Sequence, residues 1–222
     1  MSKSPAPLTL ALPKGRILKE VMPIVRAAGI RPEADFDDPA SRKLMFDTNI
    51  EGLRIIRVRA FDAATFAAFG GAHLAVVGND VLMEFDYDDL LTPLDLNIGH
   101  CRLSLAVPED DAMDDLARMS HIRIATKYPN VTQRYFGARG IQAECVKLNG
   151  AMEIAPMLGL SRYIVDLVST GSTLRANQLR EVETIATVTS RLVVNRTVAK
   201  TRSKEIQGWI DRFEEALDDA AA

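Results

Sequence analysis

The sequence predicts an α/β fold in two lobes. Short apolar runs bounded by Gly, Pro, Asn or Asp alternate with segments of helical apolar spacing, the pattern of βαβ units around a parallel sheet. The chain has 222 residues, enough for one large domain or two small ones. Its texture changes from Leu90, and from Ile122 strand and helix alternate regularly. The expected division is a first lobe of residues 1–97 plus 183–222 and a second lobe of residues 98–182.

Residues 1–7 are polar and Pro-rich and read as a frayed end. Leu8 to Leu12 is a strand stopped by Pro13-Lys14-Gly15, and Ile17, Leu18, Val21, Ile24 and Val25 then recur at helical spacing up to Gly29. Residues 31–42 are a loop. Leu44–Asn49 and Leu53–Val58 are strands around a Glu51-Gly52 turn. Phe61–Phe69 is a helix closed by Gly70-Gly71, and the strand Leu74–Val77 leads through Gly78-Asn79-Asp80 into another helix. Leu90–Leu96 and Arg102–Val107 are strands, followed by an acidic helix over 110–119. Strands at 122–125, 143–147 and 163–168 then alternate with helices at 130–139, 151–158 and 173–179. Residues 182–194, rich in Val, Thr and Ile, are extended. In the last helix Ile206, Trp209, Ile210, Phe213 and Leu217 share one face, a docking stripe against the core.

Apolar residues are 47% and charged residues 26%, which excludes a mainly disordered or collagen-like chain. With 27 basic and 30 acidic residues the net charge is −3, so neither nucleic acid nor an anionic membrane is an expected partner. Cys101 and Cys145 form no CxxC pair and read as reduced core thiols. His73, His100 and His121 stand alone, and no metal site is expected from them. No run of 18 apolar residues occurs, and MSKSPAPLTL has neither the apolar stretch nor the cleavage site of a secretory leader. The expected compartment is the cytoplasm.

The stretch Ile164-Val165-Asp166-Leu167-Val168-Ser169-Thr170-Gly171-Ser172-Thr173-Leu174 carries the chemistry. A buried strand ends in an acid, a hydroxyl-rich loop with one Gly follows, and a helix begins. Backbone N–H groups at a helix start are unpaired and attract phosphate. Gly171 lets the backbone approach closely, and Ser169, Thr170, Ser172 and Thr173 add hydroxyl donors. The second Gly and the Lys of an ATPase phosphate loop are absent. The spacing of acid, four residues, Gly, one residue, Thr is similar to the phosphoribosyl diphosphate loop of many phosphoribosyltransferases. On this stretch alone an ordinary strand-to-helix turn with Thr173 as N-cap stays open.

Three segments, KYPNVTQRYF at 127–136, KLNGAMEIAPMLGL at 147–160 and DLVSTGSTLRAN at 166–177, together resemble the short form of ATP phosphoribosyltransferase. LALPKGRIL at 10–18, RVRAFD at 57–62 and VVGNDVLME at 76–84 agree with it, so the resemblance runs from about residue 8 to the final helix. The long form of the family carries a histidine-binding domain after that helix. The resemblance implies a periplasmic-binding-protein-like (type II) architecture with an active-site cleft between the lobes. It implies transfer of the phosphoribosyl group of phosphoribosyl diphosphate to N1 of ATP, the first step of histidine biosynthesis, with substrate-bound Mg2+. It also implies a regulatory subunit resembling histidyl-tRNA synthetase, in a hetero-oligomer built on a homodimer.

On this resemblance Asp166 holds the ribose hydroxyls with Glu153 near them. Thr170, Gly171, Ser172 and Thr173 hold the 5-phosphate, with Ser169 close by. Lys14 and Arg16 suit triphosphate or diphosphate oxygens, and Arg59 neutralises the departing diphosphate. Gly78 and Asp80 match the family's motif. N1 already carries a lone pair, so no general base is nominated. The segment before VVGNDVLME departs from the family, with His73 where an acid is usual. Two other readings remain: a solute-binding module sharing the two-lobe shape, and a transferase with another purine or pyrimidine as acceptor.

Overall fold

The computed structural model describes residues 6–111 and 119–221. The acidic helix expected over 110–119 falls mainly outside the described residues, as does most of the polar start. The elements in chain order are β1 (Leu8–Pro13), α1 (Arg16–Ala27), β2 (Met45–Asp47), β3 (Leu53–Val58), α2 (Ala60–Ala68), β4 (Leu74–Gly78), α3 (Asn79–Phe85) and β5 (Leu90–Asp95). They continue with β6 (Cys101–Pro108), β7 (His121–Thr126), α4 (Pro129–Gly137), β8 (Gln142–Lys147), β9 (Tyr163–Val168), α5 (Ser172–Ala176), β10 (Leu179–Val188), β11 (Ser190–Asn195), α6 (Arg196–Thr201) and α7 (Ser203–Ala221). They fall into two units. Unit 1 is Met1–Leu82, Asp86–Gly99 and Thr189–Ala222; unit 2 is Met83–Phe85 and His100–Val188.

Unit 1 is built on a six-stranded sheet of order β2-β3-β1-β4-β11-β5. β1 runs parallel to β3 and β4 and is buried along its whole length, as expected of a strand covered on both faces. β2, β11 and β5 are antiparallel additions at the flanks. α1 buries Val21, Met22, Ile24 and Val25, the face its apolar spacing marks out. Ile206, Trp209 and Phe213 of α7 enter the same core as Leu10, Phe46 and Ile55, so the C-terminal stripe is a packing face.

Unit 2 is built on a five-stranded sheet of order β10-β6-β9-β7-β8. β9, β7 and β8 are mutually parallel, and β6 pairs antiparallel with both β9 and β10. Its core includes Ala106, Ala125, Ile164, Val168 and Leu174, joined by Met152 and Ala155.

Three expectations are corrected. Residues 151–158 do not form an α-helix; only Met152–Ile154 make a single 3-10 turn. Ala151 sits at positive φ and Pro156 supplies no N–H, so the helix neither starts cleanly nor propagates. The helix expected over 173–179 stops at Ala176, and Leu179 already opens β10. The extended run 182–194 is two strands in different sheets, parted at Thr189: β10 pairs with β6 and β11 with β4 and β5. Residues 183–188 thus lie in unit 2, not in the first lobe, because ladder pairing rather than composition sets the boundary.

Candidate active site

The acid and the hydroxyl loop come together at the C-terminal end of β9. Gly171 takes φ +71° just before α5, a left-handed conformation that L side chains rarely adopt. The Thr170 and Ser172 hydroxyls lie 3.0 Å apart, and Ser172 N–H points to Thr170 Oγ1 at 3.4 Å. Arg175 folds back over the loop, its Nη1 donating to Thr170 O at 3.2 Å. Ser169, Thr170, Ser172 and Thr173 are all exposed. This places exposed hydroxyls beside the start of α5, donors of the kind an oxyanion group requires.

Asp166, two residues before the strand ends, is half-buried. Burial pushes its carboxyl up to about 6; the nearby Glu153 charge adds to this, while the Leu167 N–H and the Lys127 charge oppose it. Leu167 N donates to Asp166 Oδ1 at 2.8 Å. Glu153 stands on the 3-10 turn whose Met152 packs into the core with Val168 and Leu174. Unit 2 therefore assembles Asp166, Glu153 and the loop Ser169–Thr173. A carboxylate pair beside an anion cradle suits a ligand with hydroxyls next to a phosphate.

Unit 1 assembles the other candidates along one sheet edge. β3, β1 and β4 are adjacent and parallel, with Pro13 opposite Val58 and Ala11 opposite Ala75. Their C-terminal ends carry Arg59, Lys14 and Gly78, the edge where open parallel sheets bind ligands. Lys14 N–H donates to Val58 O at 2.8 Å, holding the two strand ends together. The Lys14 and Arg59 side chains are exposed and have no polar partner among the described residues. Arg16 differs: its guanidinium reaches Glu20 Oε1 and Gly99 O, each at 3.3 Å. Asp80 is buried in the first turn of α3. A side chain at Gly78 would collide with the Asp80 carboxylate, so this glycine serves close approach.

The structure also gives His73 a place. Its ring Nδ1 accepts the Thr9 N–H at 2.9 Å, and the His73 backbone N–H donates to Thr9 O at 2.8 Å. Burial first, and the Arg202 charge second, push its pKa down, which suits an imidazole that must accept at Nδ1. The residue that replaces the family's acid is thus a ladder acceptor between β1 and β4. Cys101 and Cys145 are not joined in a disulfide and are half-buried rather than fully buried.

Two side chains lie inside the segments DLVSTGSTLRAN and VVGNDVLME, but the sequence alone assigns neither a role. Arg175 braces the loop. Glu84, almost fully buried at 3% exposure, accepts the Asn130 and Val131 N–H groups of α4, each at 3.0 Å. Among the described residues no group of three or more His, Cys, Asp or Glu side chains is placed to hold a metal ion, and no helix is long and apolar enough to cross a membrane.

The profile of the ATP phosphoribosyltransferase family matches residues 59–215. The ATP phosphoribosyltransferase of Paramagnetospirillum magneticum is 67% identical over 210 residues, covering 94% of this chain and 96% of that protein. That of Rhodospirillum rubrum is 64% identical over 216 residues, covering 97% and 95%. Among solved structures, the ATP phosphoribosyl transferase (HisG:HisZ) complex from Thermotoga maritima superposes with a TM-score of 0.81 at 31% identity, covering 96% of this chain and 99% of that one. The periplasmic aliphatic sulphonate binding protein SsuA from Escherichia coli, at 16% identity and a TM-score of 0.59 over 96% of this chain and 69% of its own, shares the fold. With a strand-end acid, a hydroxyl loop and a family profile that agree over most of its length, this chain belongs to the ATP phosphoribosyltransferase family.

Proposed function

We propose that this chain transfers the phosphoribosyl group of phosphoribosyl diphosphate to N1 of ATP, releasing diphosphate and phosphoribosyl-ATP, the first step of histidine biosynthesis. The observation that carries the reading is Asp166 at the end of β9 beside the Ser169–Thr173 loop with Gly171 at positive φ. Asp166 accepts from the ribose hydroxyls, with Glu153 as a second carboxylate beside them. The backbone and hydroxyls of Ser169, Thr170, Gly171, Ser172 and Thr173 hold the 5-phosphate.

Lys14 and Arg59 take the polyphosphate oxygens, and Arg59 in particular offsets charge developing on the leaving diphosphate. Arg16 supports this edge through Glu20 and Gly99. Gly78 and Asp80 shape the start of α3 beside it. The chemistry needs alignment and charge stabilisation rather than covalent help, because N1 attacks with its own lone pair. Mg2+ carried by the diphosphate oxygens would neutralise charge on the leaving group.

A regulatory partner resembling histidyl-tRNA synthetase, in a hetero-oligomer built on a homodimer, is part of this reading. Its support is the likeness to a chain of the Thermotoga HisG:HisZ complex. The short form is supported by relatives of matching length. The expected compartment is the cytoplasm. The test is formation of phosphoribosyl-ATP from ATP, phosphoribosyl diphosphate and Mg2+, with adenine, uracil and orotate as competing acceptors. Histidine is then titrated against the chain alone and against its complex with the partner from the same genome. Product only from ATP, and histidine sensitivity only in the complex, are expected. Transfer to a free base would overturn the acceptor, and full inhibition of the single chain would misplace the regulatory site.

A further inference from the structure

One more cation ends at the same corner of unit 2. β7 and β9 are parallel, with Thr126 opposite Val165. Continuing this register past the end of β7 sets the backbone of Lys127 next to that of Asp166 on β9. The backbone at Lys127 is pinned from both sides. The fully buried Thr126 hydroxyl donates to Val165 O at 2.8 Å and accepts the Tyr128 N–H at 2.9 Å. Just beyond, Pro129 opens α4, whose first N–H groups rest on Glu84. Lys127 is half-buried, and its positive charge bears on the Asp166 carboxylate.

The other groups facing Asp166 act against its ionisation or are already engaged. Glu153, on the 3-10 turn, adds a second negative charge. On β6, Ser104 stands opposite Asp166, and its hydroxyl donates to Glu181 Oε1 at 2.7 Å. Glu181 in turn is paired with Arg102 at 2.7 Å. On β8, Lys147 is opposite Thr126 and exposed. Lys127 and the Leu167 N–H are thus the groups that favour the anion.

The protonation state matters because an ionised carboxylate is an acceptor only, whereas the acid spends one oxygen as a donor. Two ribose hydroxyls presenting their protons need the ionised form. We propose that Lys127 is a positioning residue of the sugar site, whose ammonium holds Asp166 in the acceptor-only form that the ribose hydroxyls require. This rests on the reading of Asp166 as the ribose ligand.

The test has two readouts on wild type, Lys127→Met, Lys127→Arg and Asp166→Asn. The first is the Asp166 titration in the free protein, followed by 13C NMR of the labelled carboxyl group. The second is phosphoribosyl diphosphate affinity by calorimetry between about pH 5.5 and about pH 8.5, on either side of the carboxyl midpoint. Lys127→Met should raise the midpoint by roughly half a unit or more. It should weaken binding several-fold near the acid end and little at the alkaline end, and Lys127→Arg should restore both. The substrate's own phosphate ionisations are common to all variants and cancel. An unmoved midpoint in Lys127→Met overturns the inference, and so does a loss of affinity that is the same at every pH. Undiminished binding by Asp166→Asn overturns the ribose reading and the inference with it, whatever the midpoint of Lys127→Met.

Discussion

Glu84 Oε1 accepts the backbone N–H of Asn130 at 3.0 Å, and its other oxygen accepts that of Val131 at the same distance. The end of α3 is thereby fastened to the start of α4 by one buried carboxylate, while Asn130 Nδ2 returns a hydrogen bond to Glu84 O. Two of the family-like segments, VVGNDVLME and KYPNVTQRYF, meet in this contact.

Charge-assisted bonds to a helix start are among the stronger ones, and truncation leaves two N–H groups unpaired. Glu84→Ala should therefore cost about 2–4 kcal/mol of stability. Equilibrium urea unfolding measures it. A loss within error of zero would show that water or another side chain caps α4.

Asp166 should trade stability for binding. Burial raises its folded-state pKa to about 6, above the ordinary carboxylate value. Between the two values the folded state binds a proton that the unfolded chain releases. The ionised carboxylate therefore costs stability, a cost that grows as pH rises through this window and is complete above about 6. Asp166→Asn should be the more stable protein at pH 7, by up to about 2 kcal/mol, and the gain should fade toward pH 4. The same variant should bind phosphoribosyl diphosphate poorly. Thermal unfolding at several pH values checks the first statement and calorimetry the second.

Arg59 follows β3 with its side chain exposed and uncommitted among the described residues. If it stabilises charge on departing diphosphate, Arg59→Ala should lower kcat by on the order of a hundredfold or more, about 3–4 kcal/mol. ATP affinity should change far less. An unchanged chemical step in single-turnover kinetics would assign Arg59 to the surface.

Much of this arrangement is legible in residue order, because strand ends and turn residues are local signals. The run from Ile164 to Leu174 shows its strand, acid and loop directly, and Leu74 to Asp80 shows a strand entering a helix. What escapes are facts of pairing between distant segments. Nothing near Lys127 announces that β7 lies beside β9, and nothing near Glu84 announces α4. The extended run 182–194 looks continuous until the ladders part it at Thr189. Pro156, in the middle of the helix expected over 151–158, is itself a local signal against that helix. His73 looks like a lost acid in the sequence; only the Thr9 N–H shows that what the position needs is an acceptor.

The most direct measurement is a calorimetric titration of magnesium phosphoribosyl diphosphate into the wild-type chain and into Gly171→Val. At φ +71° a β-branched residue is strained, and the loop must abandon the conformation that exposes its N–H groups. The nearest atom to an added Cβ, Arg175 Nη1 at 3.2 Å, ends a flexible side chain, so the variant should still fold. Saturable binding by wild type and none by a folded Gly171→Val is the predicted result. Near-normal binding by the folded variant would contradict the assignment of residues 169–173 as the phosphate site.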